Sequence, residues 1–259
     1  MGNMNICLFK EEEIGKTLLA SDERAKHIAK VLHKKEGDSF DAGIIGGKAG
    51  TATIRKIDEN GIVFEFEEFE DEERAKGKPL HPLTLIIGFP RPIQLRRLFR
   101  DVAGLGAKRI ILAGTELTEK SYMESNDIKD GAAERMLLEG TVQAASTHVP
   151  LLETAKSMAE ALERISETEN GTKKCALDNR RAKMSLHKWL ATEAENESGL
   201  EKSGVVAAIG SERGWTDKER DLLELSGFTL CSMGKRVLRT ETAATVASSI
   251  ILDGMGVLD

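Results

Sequence analysis

Two short segments near the carboxyl terminus carry residue types that can bind and move charge. The first, Ile209-Gly210-Ser211-Glu212-Arg213-Gly214-Trp215, follows the apolar run Val205 to Ile209 and precedes Thr216-Asp217-Lys218-Glu219. Thr216 and Glu219, three residues apart, have the spacing of a capping box at a helix start. A strand, a glycine-bracketed turn and a capped helix let backbone amides approach a ligand. A connection that needs glycine only for its φ angle is the other reading of the same turn. The second segment, Ser232-Met233-Gly234-Lys235-Arg236-Val237-Leu238-Arg239-Thr240-Glu241-Thr242-Ala243, sets three cations beside apolar side chains just before a helix that Thr240 is expected to cap. Arginines so placed can hold phosphate or stabilise a developing anion, and Glu212 can bridge loop amides or take a proton. For Arg236, Arg239 and Glu212 the alternative is a salt bridge that only pins the loops. Glu241 is expected to partner such an arginine.

Other chemistries find less support. Cys7, Cys175 and Cys231 are far apart with no C-x-x-C spacing, so neither a disulfide framework nor a zinc ribbon is indicated. The five histidines include no helical zinc-hydrolase pair, and no metal is expected. Around Gly46-Gly47-Lys48 the lysine is followed by Ala49 and a β-branched run rather than by Ser or Thr opening a helix, so a hairpin turn is predicted and not a P-loop. The net charge of −6 is misleading, because seven of the nine residues from Glu65 to Glu73 are acidic and outweigh it. Conversely, Arg91, Arg96, Arg97, Arg100, Lys108 and Arg109 face only Asp101 in their stretch, a candidate phosphate-facing patch whose plain alternative is a solvated helix face. No apolar run is long enough to span a bilayer and the start is acidic, so a cytoplasmic protein without membrane association is expected.

The elements that must position these residues fall into two groups. Up to about residue 69 the pattern is β-rich, with strands at Phe40 to Ile45, Ala49 to Ile57 and Gly61 to Phe69 and one helix capped by Asp22. Closure into a small barrel is predicted, because it hides strand edges. An exposed linker from Glu70 to Pro82 carries the boundary, giving domains 1–75 and 76–259. Beyond it, apolar runs at Leu83 to Phe89, Arg109 to Ala113, Lys173 to Leu177, Val205 to Gly210 and Phe228 to Cys231 alternate with helical periods. That alternation means a parallel sheet with helices on both faces, with ligands outside the carboxyl ends of the strands. The positions after Leu177, Gly210 and Cys231 are therefore the ones to inspect.

The two glycine-containing segments together resemble the knotted SPOUT class of S-adenosylmethionine-dependent RNA methyltransferases, and within it the RsmE family of ribosomal RNA uridine-N3 methyltransferases. The family's Ile-Gly-Pro-Glu-Gly-Gly is matched by Ile209 to Gly214, and its Leu-Gly-x-Arg-Ile-Leu-Arg-x-Glu-Thr-Ala by Met233 to Ala243. Its Val-Leu-Arg, then Gly-Asp, is similar to Val31-Leu32-His33 and Gly37-Asp38. The resemblance implies an α/β SPOUT domain with a trefoil knot, preceded by a small PUA-like β-barrel. It implies an S-adenosylmethionine site in which Gly210, Gly214 and Gly234 allow close backbone approach. Leu177, Ile209, Met233, Val237 and Leu238 would wall the adenine, and Glu212 and Thr242 would complete the contacts.

The implied reaction is transfer of a methyl group to N3 of an extruded uridine in small-subunit (16S) ribosomal RNA, with Arg239 stabilising the uracil anion, Arg236 holding phosphate or base, and Glu212 as bridge or base. His33, Lys34, Arg91, Arg96, Arg97, Arg100 and Gln143 are expected to meet the RNA. A homodimer on ribosomal RNA or the small ribosomal subunit is also implied. The sequence departs from the family at Val142 and Ser146, at Asp101 to Gly106, at Asp178-Asn179, and at Ser211 and Arg213. A non-catalytic RNA-binding or ribosome-assembly factor, or a methyltransferase with another RNA target, are the competing readings.

Overall fold

The computed structural model of the chain describes residues 6–129, 131–169, 171–194 and 200–258. It divides into one compact unit of residues 1–79 and 141–149 and a second of residues 80–140 and 150–259.

In the first unit, strands β1 (Cys7–Phe9), β2 (Leu18–Leu19), β3 (Ser39–Ile44), β4 (Ala49–Asp58) and β5 (Gly61–Glu68) pair in the order β1-β3-β4-β5-β2. β1 runs parallel to β3, while the other pairings are antiparallel. Among the described residues no pairing joins β1 to β2, so hydrogen bonds do not close the expected barrel into a ring. Inward positions of these strands place Phe9, Phe40, Ile54 and Phe64 in one core, with Phe9 and Phe64 stacked at 4.6 Å. Asp22 caps helix α1 (Glu23–Lys26), its side chain accepting from the Arg24 amide, and the helix widens into a π turn over His27–Val31.

The segment expected to be an exposed linker has structure of its own. Helix α2 (Glu72–Ala75) is capped by Asp71, Ala75 is buried, and the Gly77 carbonyl accepts from the Thr147 amide at 2.9 Å and the Ser146 hydroxyl at 3.1 Å. A Cβ at Gly77 would meet the Thr147 hydroxyl at 2.1 Å, so residues 141–149 pack onto this turn because a glycine is there. Such a contact between distant residues leaves no trace in a local pattern.

The second unit is a seven-stranded parallel sheet in the order β10-β12-β9-β11-β6-β7-β8. Its strands are β6 (His81–Gly88), β7 (Ala107–Ala113), β8 (Leu151–Ala155), β9 (Lys173–Leu177), β10 (Met184–Ser185), β11 (Val205–Ile209) and β12 (Thr229–Ser232). Its helices are α3 (Pro92–Gly104), α4 (Lys120–Met123), α5 (Ala132–Gln143), α6 (Met158–Thr168), α7 (Leu186–Ala194), α8 (Leu200–Ser203), α9 (Asp217–Leu225) and α10 (Thr240–Gly254); the last residues of α5 count with the first unit. Near-continuous apolar strands fit a sheet buried on both faces. Ile86, Ile111, Val206, Ala208 and Leu230 pack under α6 and α9, while α3, α7 and α10 lie together, with α10 against β6 and β11.

The local pattern does not announce β8 or α7. Leu151 is exposed at an edge strand and α7 has only a short apolar face of Leu186, Trp189 and Leu190, so neither shows a strong period.

Candidate functional site

β12, β9 and β11 are neighbours in the sheet, with Leu177 opposite Cys231 and Ala176 opposite Ala208, so their three carboxyl ends lie side by side. A cleft of about 190 Å³ opens there. Leu177, Ile209, Gly210, Glu212, Gly214, Met233, Val237 and Leu238 line it, as does Arg236. Gly234, Thr242 and Arg239 are not among the lining residues. Gly234 turns the chain at φ +104° on the exposed side, and Arg239 is the exposed residue before α10. Thr242 sits in the first turn of α10, where Thr240 and Ala243, three residues apart, face the cleft instead.

The loop after β11 is built as the glycines foretell. The Gly214 amide donates to the Ser211 carbonyl at 2.8 Å, and a Cβ on Gly210 would meet the Gly214 backbone at 3.0 Å, so a side chain there would crowd the cradle. Gly214 itself holds φ +73°. Thr216 and Glu219 form the capping box of α9, and the second carboxylate oxygen of the buried Glu219 accepts from the Glu116 amide at 2.9 Å, tying the loop after β7 to the same helix start. Thr240 does not cap α10. Its hydroxyl donates to the Gly210 carbonyl at 3.2 Å, binding the two glycine segments to each other. Trp215 is 2% exposed and its indole N–H donates to the Leu177 carbonyl at 2.9 Å, which fixes the end of β9.

Both departures in the first segment find partners. The Ser211 hydroxyl accepts from Thr115 at 3.2 Å, and Arg213 pairs with Glu119 at 3.2 Å.

The charges sort into held and free. Glu212 accepts the Arg91 amide at 2.9 Å and faces its guanidinium at 3.9 Å, so it bridges the start of α3 to the loop after β11. Of the two roles open to it, this geometry is that of the bridge. Arg96 and Arg100 both pair with Glu139, at 3.0 and 3.7 Å, and Arg97 with Asp101 at 3.7 Å. That arrangement follows from packing: a Cβ on Gly140 would meet the Arg100 carbonyl at 2.4 Å, so α5 crosses α3 backbone to backbone and delivers Glu139 to the arginines. Lys235, Arg236 and Arg239 have no ion pair among the described residues. Neither does Glu241, which is buried in the first turn of α10 rather than paired with an arginine.

In the N-terminal unit His33 is exposed at φ +52° where the helix ends, Lys34 follows it, and Gln143 is exposed at the end of α5. Burial pushes the Cys231 thiol up to about 12, so at this cleft it is a neutral wall and not a thiolate nucleophile. Among the described residues no cluster of three His, Cys, Asp or Glu side chains could hold a metal ion, and no helix is long and apolar enough to cross a membrane. Asp178, Asn179, Arg180 and Arg220 also line the cleft. The first three could have been found from their place after a strand end; Arg220, inside a helix, gave no local signal.

Apolar walls at Ile209 and Leu238 and the backbone groups of two closely packed glycines fit an adenosine.

Residues 76–252 match the RNA methyltransferase domain family, and residues 20–67 match the RNA methyltransferase PUA domain. The chain is therefore an RNA methyltransferase with a PUA-type N-terminal domain. It is 40% identical over 258 residues to the ribosomal RNA small subunit methyltransferase E of Treponema pallidum, covering 96% of this chain and 91% of that one. It is 34% identical to the ribosomal RNA small subunit methyltransferase E 1 of Borreliella burgdorferi, covering 96% and 97%. The chain belongs to the ribosomal RNA small subunit methyltransferase E family. Its fold is that of the Neisseria gonorrhoeae ribosomal RNA small subunit methyltransferase E solved with S-adenosyl methionine, at TM-score 0.76 and 20% identity over 97% of this chain and 98% of that chain.

Proposed function

We propose that this protein methylates N3 of a uridine in the 16S RNA of the small ribosomal subunit, with S-adenosylmethionine as donor. The observation that carries this reading is the juxtaposition of the cleft at three strand ends with a basic segment, Lys235 to Arg239, whose cations have no ion pair among the described residues. When bound, S-adenosylmethionine supplies a methyl group on a sulfonium, open to in-line attack by a nitrogen lone pair. Leu177, Ile209, Met233, Val237 and Leu238 provide its apolar walls, Gly210 and Gly214 its backbone contacts, and Gly234 and Thr242 shape the turn and helix start behind them.

The N3 nitrogen of uridine keeps its proton at neutral pH, so the site must stabilise the anion as that proton leaves. Arg239, exposed directly before α10 and without an ion pair among the described residues, is assigned that task. Arg236, on the wall, holds phosphate or base. Glu212 is assigned to bridging, since its carboxylate is engaged by Arg91. His33, Lys34 and Gln143 in the N-terminal unit, and Arg91, Arg96, Arg97 and Arg100 in the second, contribute backbone contacts to the RNA.

The same reading includes a trefoil knot. Its support is that α10, leaving the β12 side of the sheet, packs against α7 and α3 beneath β11 and β6, a path that takes it past the segment between β9 and β11. It also includes a cytoplasmic location and a homodimer, in which a second copy would cover apolar side chains such as Ile93 and Val237, 81% and 78% exposed.

Mass spectrometry of 16S RNA from cells lacking the gene tests the proposal. The expected result is one missing methyl on one uridine, restored by the intact gene. An unchanged methylation pattern would favour a non-catalytic RNA-binding or assembly role, and a missing methyl elsewhere would move the target.

A further inference from the structure

Asp178, which directly follows β9, occupies an unusual position. Its side chain is 2% exposed, as deeply buried as the 3% exposed side chain of Arg220, whose Nε donates to the Asp178 carboxylate at 2.9 Å. The other carboxylate oxygen accepts the amides of Arg180, at 3.0 Å, and Arg181. The Asp178 amide donates to the Cys231 carbonyl at 2.9 Å. One carboxylate thus closes the whole turn from 178 to 181 over the end of the sheet. Arg220 is fixed in turn by Asp217 at 3.0 Å, and Arg181 reaches Asp221 and Glu224 (2.9 Å), also on α9. Asp178, Asn179, Arg180 and Arg220 all face the cleft.

A buried carboxylate is tolerated only with its counter-charge in place, and removing one partner leaves the other charge uncompensated. Within the turn, the hydrogen-bonded amides of Arg180 and Arg181 point at Asp178, which leaves the exposed Asn179 at the tip as the group presented toward a ligand.

We propose that Asp178 and Arg220 are positioning residues for the methyl donor: the buried pair, anchored on α9, sets the turn at the end of β9 that forms one wall of the cleft. This rests on the cleft being the S-adenosylmethionine site.

The test is calorimetric titration of S-adenosylmethionine into the full chain and into Arg220→Gln, Asp178→Asn and the double variant, alongside steady-state methylation of small-subunit RNA. The single variants are expected to bind S-adenosylmethionine at least about tenfold more weakly, and the double variant to recover part of that loss because no lone charge remains. The KM for the methyl donor should rise while kcat at saturating donor and the KM for RNA stay within about twofold. Folded variants that bind as tightly as the parent, or that lose kcat with donor KM unchanged, would overturn the inference. If a single variant does not fold, the double variant decides by the same criteria. A parent chain that binds no S-adenosylmethionine would instead overturn the assignment of the cleft itself, and this inference with it.

Discussion

Two arginine-bearing segments of the second unit look alike in sequence and differ in the structure. Along α3, Arg91, Arg96, Arg97 and Arg100 stand among three carboxylates, Glu212, Glu139 and Asp101. Between β12 and α10, Lys235, Arg236 and Arg239 have no carboxylate partner among the described residues. On α3 the pairing is made by packing, since Gly140 lets α5 approach α3 closely enough to place Glu139. Arg24 in the N-terminal unit marks the far end of the scale: it holds Glu13, Asp22 and the Leu8 carbonyl at once. Local density of positive charge therefore says little about which cations remain available to a polyanion.

The comparison can be broken at its strongest point first. Arg239→Ala should lower kcat by about 10² to 10³, the cost of one donor to a developing anion, while donor affinity changes less than about twofold. Full turnover would remove Arg239 from the chemistry. Next, Lys235→Ala with Arg236→Ala should weaken RNA binding and reduce the slope of log affinity against log salt by about two, one for each phosphate left without its cation. Arg96→Ala with Arg97→Ala should change that slope by less than half as much, and equal slopes would erase the distinction between held and free cations.

A finer test is Glu139→Gln, which releases Arg96 and Arg100. RNA affinity should rise by about twofold, because exposed pairs of this kind are weak and exchange readily. Filter binding across a salt series would register it.

The smallest effect belongs to Arg24, whose hydrogen bonds hold the Glu13 and Asp22 carboxyls below their usual values. A carboxyl lowered by folding stabilises the fold above its ordinary pKa and ceases to as pH falls through the lowered one. Acid unfolding of the N-terminal unit should therefore move to higher pH in Arg24→Gln, followed by circular dichroism.

Much of this arrangement is legible in the sequence, for identifiable reasons. The strands built around short apolar runs, β6, β7, β9 and β11, and the helix starts at Asp22 and Thr216 carry their signals within a few residues. So do the two glycine segments, because close backbone approach demands glycine at fixed places. What escapes depends on partners distant in sequence. Thr240 has the residue type of a cap but spends its hydroxyl on Gly210. Glu219 caps α9 as its spacing requires, yet its bond to Glu116 has no local sign. Residues 70–79 look like a tether because their neighbours from 141 to 149 lie far along the chain. Arg220 sits inside an ordinary amphipathic helix, and only the fold reveals that it meets Asp178 under the cleft.

The central claim is that this chain moves a methyl group from S-adenosylmethionine to a uridine nitrogen. It is met most directly by incubating the purified protein with methyl-labelled S-adenosylmethionine and unmethylated small ribosomal subunits, then digesting the RNA to nucleosides. The account predicts label in N3-methyluridine at a single position. Label in any other nucleoside, or none while the protein is folded and binds the donor, would contradict it.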